Sequence, residues 1–163
     1  MNARDAIQLN LDMANMVCSA YLGDLDDRDL LVRPGAGCNH IAWQLGHLIG
    51  SEHEMMELLK PGSMPPLPAG FADRHTKSTS RIDSASTFLS KQEYLDLYQQ
   101  QRQGTLALLR AQSDTDLDLP APEKFQAYSK SRGDLFSLQG SHLMMHVGQW
   151  AVVRRKLGRP PLF

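Results

Sequence analysis

Apolar residues in this chain recur at helical spacing, and no stretch shows the alternation that marks a half-buried strand. Ile7, Leu11, Ala14, Cys18 and Tyr21 follow at intervals of four and three, which lines them along one face of a helix that Gly23-Asp24 should end. Arg33-Pro34-Gly35-Ala36-Gly37-Cys38 reads as a loop by composition, and Asn39 is placed to cap a second helix. That helix carries Ile41, Leu45, Leu48, Met55 and Leu59 and should stop at Pro61-Gly62. Ser90 with Glu93 fits a capping box for a third helix, whose weaker stripe of Tyr94, Leu97, Gln101 and Leu108 ends near Ser113. Asp134 is the cap candidate for a fourth, stopped by Gly158 and Pro160-Pro161. The pattern predicts an all-α fold, a four-helix bundle forming one domain over residues 1–163.

Two long irregular connections interrupt the pattern. Pro61, Pro65, Pro66 and Pro68 open the first, which runs to about Leu89, and Pro120 and Pro122 lie in the second. Segments this long without clear elements often cover or line a site, so 61–89 and 115–134 are expected to shape a pocket mouth. They also leave room for the helices they join to run parallel. The second and fourth helices are apolar around more of their circumference than one core face needs. In the fourth, Leu138, His142, Met145 and Val153 lie on one side, and Leu143, Val147, Trp150 and Leu157 on another. Such a helix needs a second cover, from loops or from another subunit, and homodimerisation through this surface is the expectation.

Seventeen Lys and Arg balance eighteen Asp and Glu, a net charge of −1, so nucleic acid has no electrostatic reason to bind. The basic run Arg154-Arg155-Lys156 suits the negative end of the last helix. No apolar run approaches the ~20 residues of a membrane span. Cys18 and Cys38 match neither a redox pair nor a zinc finger. Cys18 falls on the first helix's apolar stripe, and Cys38 reads as structural. With a polar start lacking a signal-type apolar run, these features point to a reducing cytoplasm.

The chemistry-bearing residues are histidines. His142 and His146 are four apart on one helix, the spacing at which two imidazoles converge on one ion, and His47 on another helix could complete a triad. Three protein ligands leave a coordination position open, as in catalytic rather than structural metal sites. His40 lies seven residues before His47, too far along the axis to share the ion, and is a candidate for substrate contact or capping. Trp43, one turn before His47, could wall a pocket. Gln149 is placed for a supporting hydrogen bond to a ligand and Glu54 for a general base, while Glu52 could bond a histidine or bridge to a base on another helix. His53 and His75 read as ordinary surface residues. Gly46, Gly50, Gly140 and Gly148 sit inside helices, which suggests close approach or a pocket.

The segments Asn39-His40-Ile41-Ala42-Trp43-Gln44-Leu45-Gly46-His47-Leu48 and His142-Leu143-Met144-Met145-His146-Val147-Gly148-Gln149-Trp150 resemble the two signature regions of the DinB/YfiT-like superfamily. The ending Arg155-Lys156-Leu157-Gly158-Arg159-Pro160 is similar to that family's as well. The resemblance implies a four-helix bundle in which His47, His142 and His146 hold one divalent metal ion, zinc or nickel. It further implies thiol-dependent transfer to a small electrophile, with a low-molecular-weight thiol as cosubstrate. The alternatives are a non-catalytic bundle that senses or sequesters a small molecule, and a structural bundle with packed histidines.

Overall fold

The computed structural model describes all 163 residues, which form an all-helical fold without strands. There are five α-helices, α1 (Ala3–Leu22), α2 (Ile41–Leu59), α3 (Lys91–Arg110), α4 (Asp114–Asp118) and α5 (Arg132–Lys156). The single-turn α4 was not expected; it has its own capping box, Ser113 with Asp116, inside the second long connection. Two caps lie elsewhere than expected. His40 rather than Asn39 caps α2, its Nδ1 accepting the Trp43 N–H at 3.1 Å. Ser131 rather than Asp134 caps α5, Asp134 serving as the acidic partner of the box. Capping was one of the roles open to His40, and the structure assigns it that role in place of Asn39, although an imidazole is outside the usual set of capping residues.

Hydrogen bonds between helices fix their directions. Asn10 donates to the Ser137 carbonyl at 2.9 Å and Arg154 reaches the Tyr21 carbonyl at 3.1 Å, so α1 and α5 run parallel. Glu52 meets Arg102 and Thr105, and Gly46 packs under His75, which bonds Tyr94; α2 and α3 are therefore parallel as well. Gln44 bonds Gln149 while Gln139 bonds Met55, so α2 and α5 are antiparallel. The expected parallel crossover holds for α2 and α3 but fails for α3 and α5, which point in opposite directions. The second connection carries the chain across the end of the helices, with α4 packed on α5, instead of returning it along their length.

The apolar core is split. One cluster gathers Leu22, Leu45, Ile49, Tyr94, Leu143 and Trp150, and a second gathers Leu11, Met56, Leu109, Leu135 and Phe136. On α2, α3 and α5 the residues between these clusters are polar and buried: Glu52, Gln101, Arg102, Thr105 and Gln139. Glu52 accepts from Arg102 Nη2 at 2.9 Å and from Thr105 Oγ1 at 2.6 Å, the bridging alternative for this residue. Both charges are almost wholly removed from water, so each depends on the other.

The second cover that α2 needs comes from the first connection. His75 lies flat against α2 at Gly46, where a Cβ would sit 2.0 Å from the imidazole, so only glycine admits it. Its Nδ1–H donates to the Phe71 carbonyl at 2.9 Å, and the Tyr94 hydroxyl donates to Nε2 at 2.7 Å. His75 is thus a half-buried packing residue rather than a surface one, and His53 is likewise engaged, bonding Gln101 at 3.0 Å. Gly140 makes room for Asn10 of α1, whereas nothing lies near Gly148. On α5 the expected two-sided burial is partial: Val153 is buried, but Met145 points to solvent.

Removing Glu52 while leaving Arg102 strands a buried charge. Glu52→Ala should cost about 3–5 kcal/mol, read as a lower urea midpoint at unchanged slope. Burial holds the His75 imidazole at about 4, against the usual 6.5, although its bond to the Phe71 carbonyl opposes the shift. The unfolded chain takes up this proton near pH 6.5 and the folded one only near 4, so this contribution is intact above 6.5 and is lost as pH falls toward 4. Urea titrations across that range should show His75→Asn losing stability less steeply than the parent.

Candidate metal centre

α2 presents His47 and α5 presents His142 and His146 toward one another, because the antiparallel pair is held in register by the Gln44 side chain. The His47 and His142 Nε2 atoms lie 3.3 Å apart, those of His142 and His146 3.2 Å apart, and one ligand atom from each of the three falls within 4.8 Å of the others. Two bonds of ~2.0–2.1 Å from one ion at a tetrahedral angle set nitrogens about 3.3–3.4 Å apart, so the spacing suits a shared ion. The group contains no carboxylate or thiol.

Gln44 determines which nitrogen of His146 is free. Trp150 Nε1–H can only donate, so the Gln44 atom it meets at 2.8 Å is the amide oxygen. The same oxygen lies 3.0 Å from His146 Nδ1, which must then carry its proton. That leaves a lone pair on His146 Nε2 of the neutral ring, aimed at His142. A single in-plane position on His142 Nε2 can satisfy only one of its two short contacts as a hydrogen bond. Three convergent Nε2 atoms are therefore poorly served by protons alone and well served by a cation. Burial lowers the affinity of all three rings for protons, His142 and His146 to about 4, with the neighbouring imidazoles adding to the effect on that pair. Neutral rings are what a metal requires.

The remaining candidates occupy different positions. Trp43 stacks on His47 with ring centroids 5.3 Å apart and planes 9° apart, and its Nε1–H donates to the Thr76 carbonyl of the first connection at 3.0 Å. Gln149 does not reach an imidazole; its Oε1 accepts from Gln44 Nε2 at 3.1 Å, steadying the amide that holds His146. His40 is fully buried with both ring nitrogens occupied, Nε2–H donating to the Ile82 carbonyl at 3.0 Å. Glu54 is exposed and pairs with Lys124, outside the histidine group. Glu52 is committed to Arg102. A cavity of about 400 Å³ bordered by Phe71, Arg74, Glu93 and Leu97 includes none of the three histidines in its walls.

Gln44 is the residue whose role sequence reasoning missed. Its signal was a lone amide in Ile41-Ala42-Trp43-Gln44-Leu45, all of it buried. A buried amide needs partners, and one turn before His47 those partners lie at the site.

A family model described as the DinB superfamily matches residues 10–150, a span that includes all three histidines. No curated protein and no solved structure matches the chain.

Replacing Gln44 by Ala removes the acceptor for His146 Nδ1–H and Trp150 Nε1–H. Metal affinity of Gln44→Ala, measured by chelator competition, should fall about 10- to 100-fold, with binding weakened rather than abolished.

Proposed function

The chain belongs to the DinB superfamily, and from that premise we propose a metal-dependent enzyme acting on a small electrophile by thiol transfer. His47, His142 and His146 would hold one divalent ion, zinc or nickel, for which imidazoles are suitable ligands. The observation that carries this reading is the convergence of three Nε2 atoms with no other ligand type among them. When bound, the ion supplies the Lewis acidity that lets a low-molecular-weight thiol or water act as a nucleophile at neutral pH.

The chain's own residues supply position. Gln44 orients His146, Gln149 steadies Gln44, and Trp43 backs His47. Segment 61–89 shields this side of α2 through Thr76 and His75, and with 115–134 it would form the mouth of the substrate pocket. Because Glu54 is drawn off by Lys124 and Glu52 by Arg102, neither stands beside the histidines as a general base. That supports a thiol cosubstrate over a hydrolase relying on its own carboxylate. It equally supports a second reading, a non-catalytic bundle that binds a small molecule through the metal.

Residues 1–163 would form a single four-helix-bundle domain of the DinB/YfiT-like type, with α4 an added turn, working as a homodimer in the cytoplasm. No helix is long and apolar enough to cross a membrane.

Elemental analysis of tag-free protein should find about one equivalent of zinc or nickel, and His142→Ala should lose it. Protein that neither carries metal nor takes it up from dilute solution overturns the proposal. With metal established, turnover of an activated electrophile by one of several small thiols selects the enzyme, and tight binding without turnover selects the second reading.

A further inference from the structure

The cavity of about 400 Å³ beside α3 has no part in the metal chemistry, yet its walls combine an apolar floor with charges of both signs. Its volume falls in the ~300–1,000 Å³ range of small-molecule sites. One wall is the turn of the first connection around Phe71 and Arg74, and the other is Leu89 with the first turns of α3. Phe71 is buried and Leu89 and Leu97 are half-buried, so these three form the floor. Arg74, Glu93 and Asp96 are exposed and form the rim.

Both walls are held by the fold itself. Gly70 turns the chain at a φ of 71°, after which the Phe71 N–H donates to the Pro68 carbonyl at 3.0 Å and the Arg74 N–H to the Phe71 carbonyl at 3.3 Å. The Phe71 ring rests on α2, 3.9 Å from where a Cβ on Gly50 would sit. Tyr94 ties one wall to the other. Its hydroxyl donates to His75 Nε2 at 2.7 Å on one side and accepts the Leu89 N–H at 3.4 Å on the other. A cavity braced in this way loses little conformational freedom when a ligand enters.

The rim charges retain free capacity. Glu93 and Asp96 stand three residues apart, on one face of α3. Glu93 Oε2 accepts from Ser90 in the capping box and Asp96 Oδ1 accepts from Gln92 at 2.7 Å, which leaves one oxygen of each carboxylate open. Arg74 makes no ion pair. It is still near enough for its charge to add to the Ser90 hydrogen bonds that hold the Glu93 carboxyl below its usual range. A purely cationic ligand would be opposed by Arg74, and a purely anionic one by the two acids. A ligand carrying both charges close together suits all three.

We propose that this cavity is a second small-molecule site, separate from the histidines, and that it takes an apolar α-amino acid. The carboxylate would meet Arg74, the ammonium Glu93 and Asp96, and the side chain the floor of Phe71, Leu89 and Leu97. The site goes beyond the metal-dependent reading and does not rest on it.

Calorimetric titration of the full chain with L-leucine tests the proposal. L-Leucine should bind, while isoamylamine, which lacks the carboxylate, isocaproate, which lacks the amine, and glycine, which lacks the apolar side chain, should each bind weaker by about tenfold or more. Arg74→Gln and Asp96→Asn alter exposed side chains, so both should keep the parent's circular dichroism and both should weaken L-leucine by a similar factor. Arg74→Gln should bind isoamylamine at least as well as the parent does. His142→Ala should bind L-leucine as the parent does, since no histidine of the metal group lines the cavity. Absence of L-leucine binding at millimolar concentration overturns the proposal. Isoamylamine or isocaproate binding as tightly as L-leucine overturns it too, as does undiminished affinity in both rim variants. Binding lost in His142→Ala would put the amino acid on the metal ion instead and overturns it as well. Metal content is measured separately, so failure of this site and failure of the metal reading are distinguishable.

Discussion

The structure is organised by the burial of α2. Eleven of its nineteen residues are withdrawn from water, Gln44 and Glu52 among them. A helix enclosed in this way has to provide partners for every polar side chain it carries, since an unpaired buried group costs more than its hydrogen bond returns. Each solution is a contact with a different part of the chain. Glu52 takes Arg102 and Thr105 of α3, Gln44 takes His146 and Trp150 of α5, and the capping His40 takes Ile82 of the first connection. Apolar packing says only that α2 is inside. The polar pairs say which neighbour lies on which side, and at what height.

That requirement links stability to the site. The Glu52 and Arg102 layer divides two apolar clusters and sets α2 against α3, while the Gln44 amide sets α2 against α5. With α2 held from both sides, His47 faces His142 without any direct restraint on its own ring beyond the Trp43 stack. The imidazoles are positioned by groups that lie outside the cluster of three histidines. The same amide that aligns two helices also fixes the tautomer of His146, so the fold and the geometry of the histidine cluster share one hydrogen-bond network.

Much of this was legible because it is local. Helical spacing placed the four long helices, and the Ser90 and Glu93 box opened α3 where a box should. His142 and His146 share a face by helix geometry alone, and Glu52 had a salt bridge among its readings. What was not legible depended on contacts distant in sequence. His75 is twenty-nine positions from Gly46 and looks like a loop residue until the loop folds back over α2. His40 had capping among its readings, and only the packed loop showed that its second nitrogen goes to the Ile82 carbonyl; Met145 turned outward because α1 and α2 already occupy the other sides of α5.

Periodicity, capping residues and histidine spacing are properties of short segments, and for these the sequence by itself determined the helices, the predominance of α structure and the paired imidazoles. Tertiary structure alone decided that α3 and α5 oppose each other and that His47 meets the pair. It also decided that Gln44 selects the nitrogen and that Glu54 stands apart with Lys124. The reason is physical: hydrogen-bond partners are assigned by which helices pack together, and packing depends on where the whole chain can bury α2 without leaving a polar group alone.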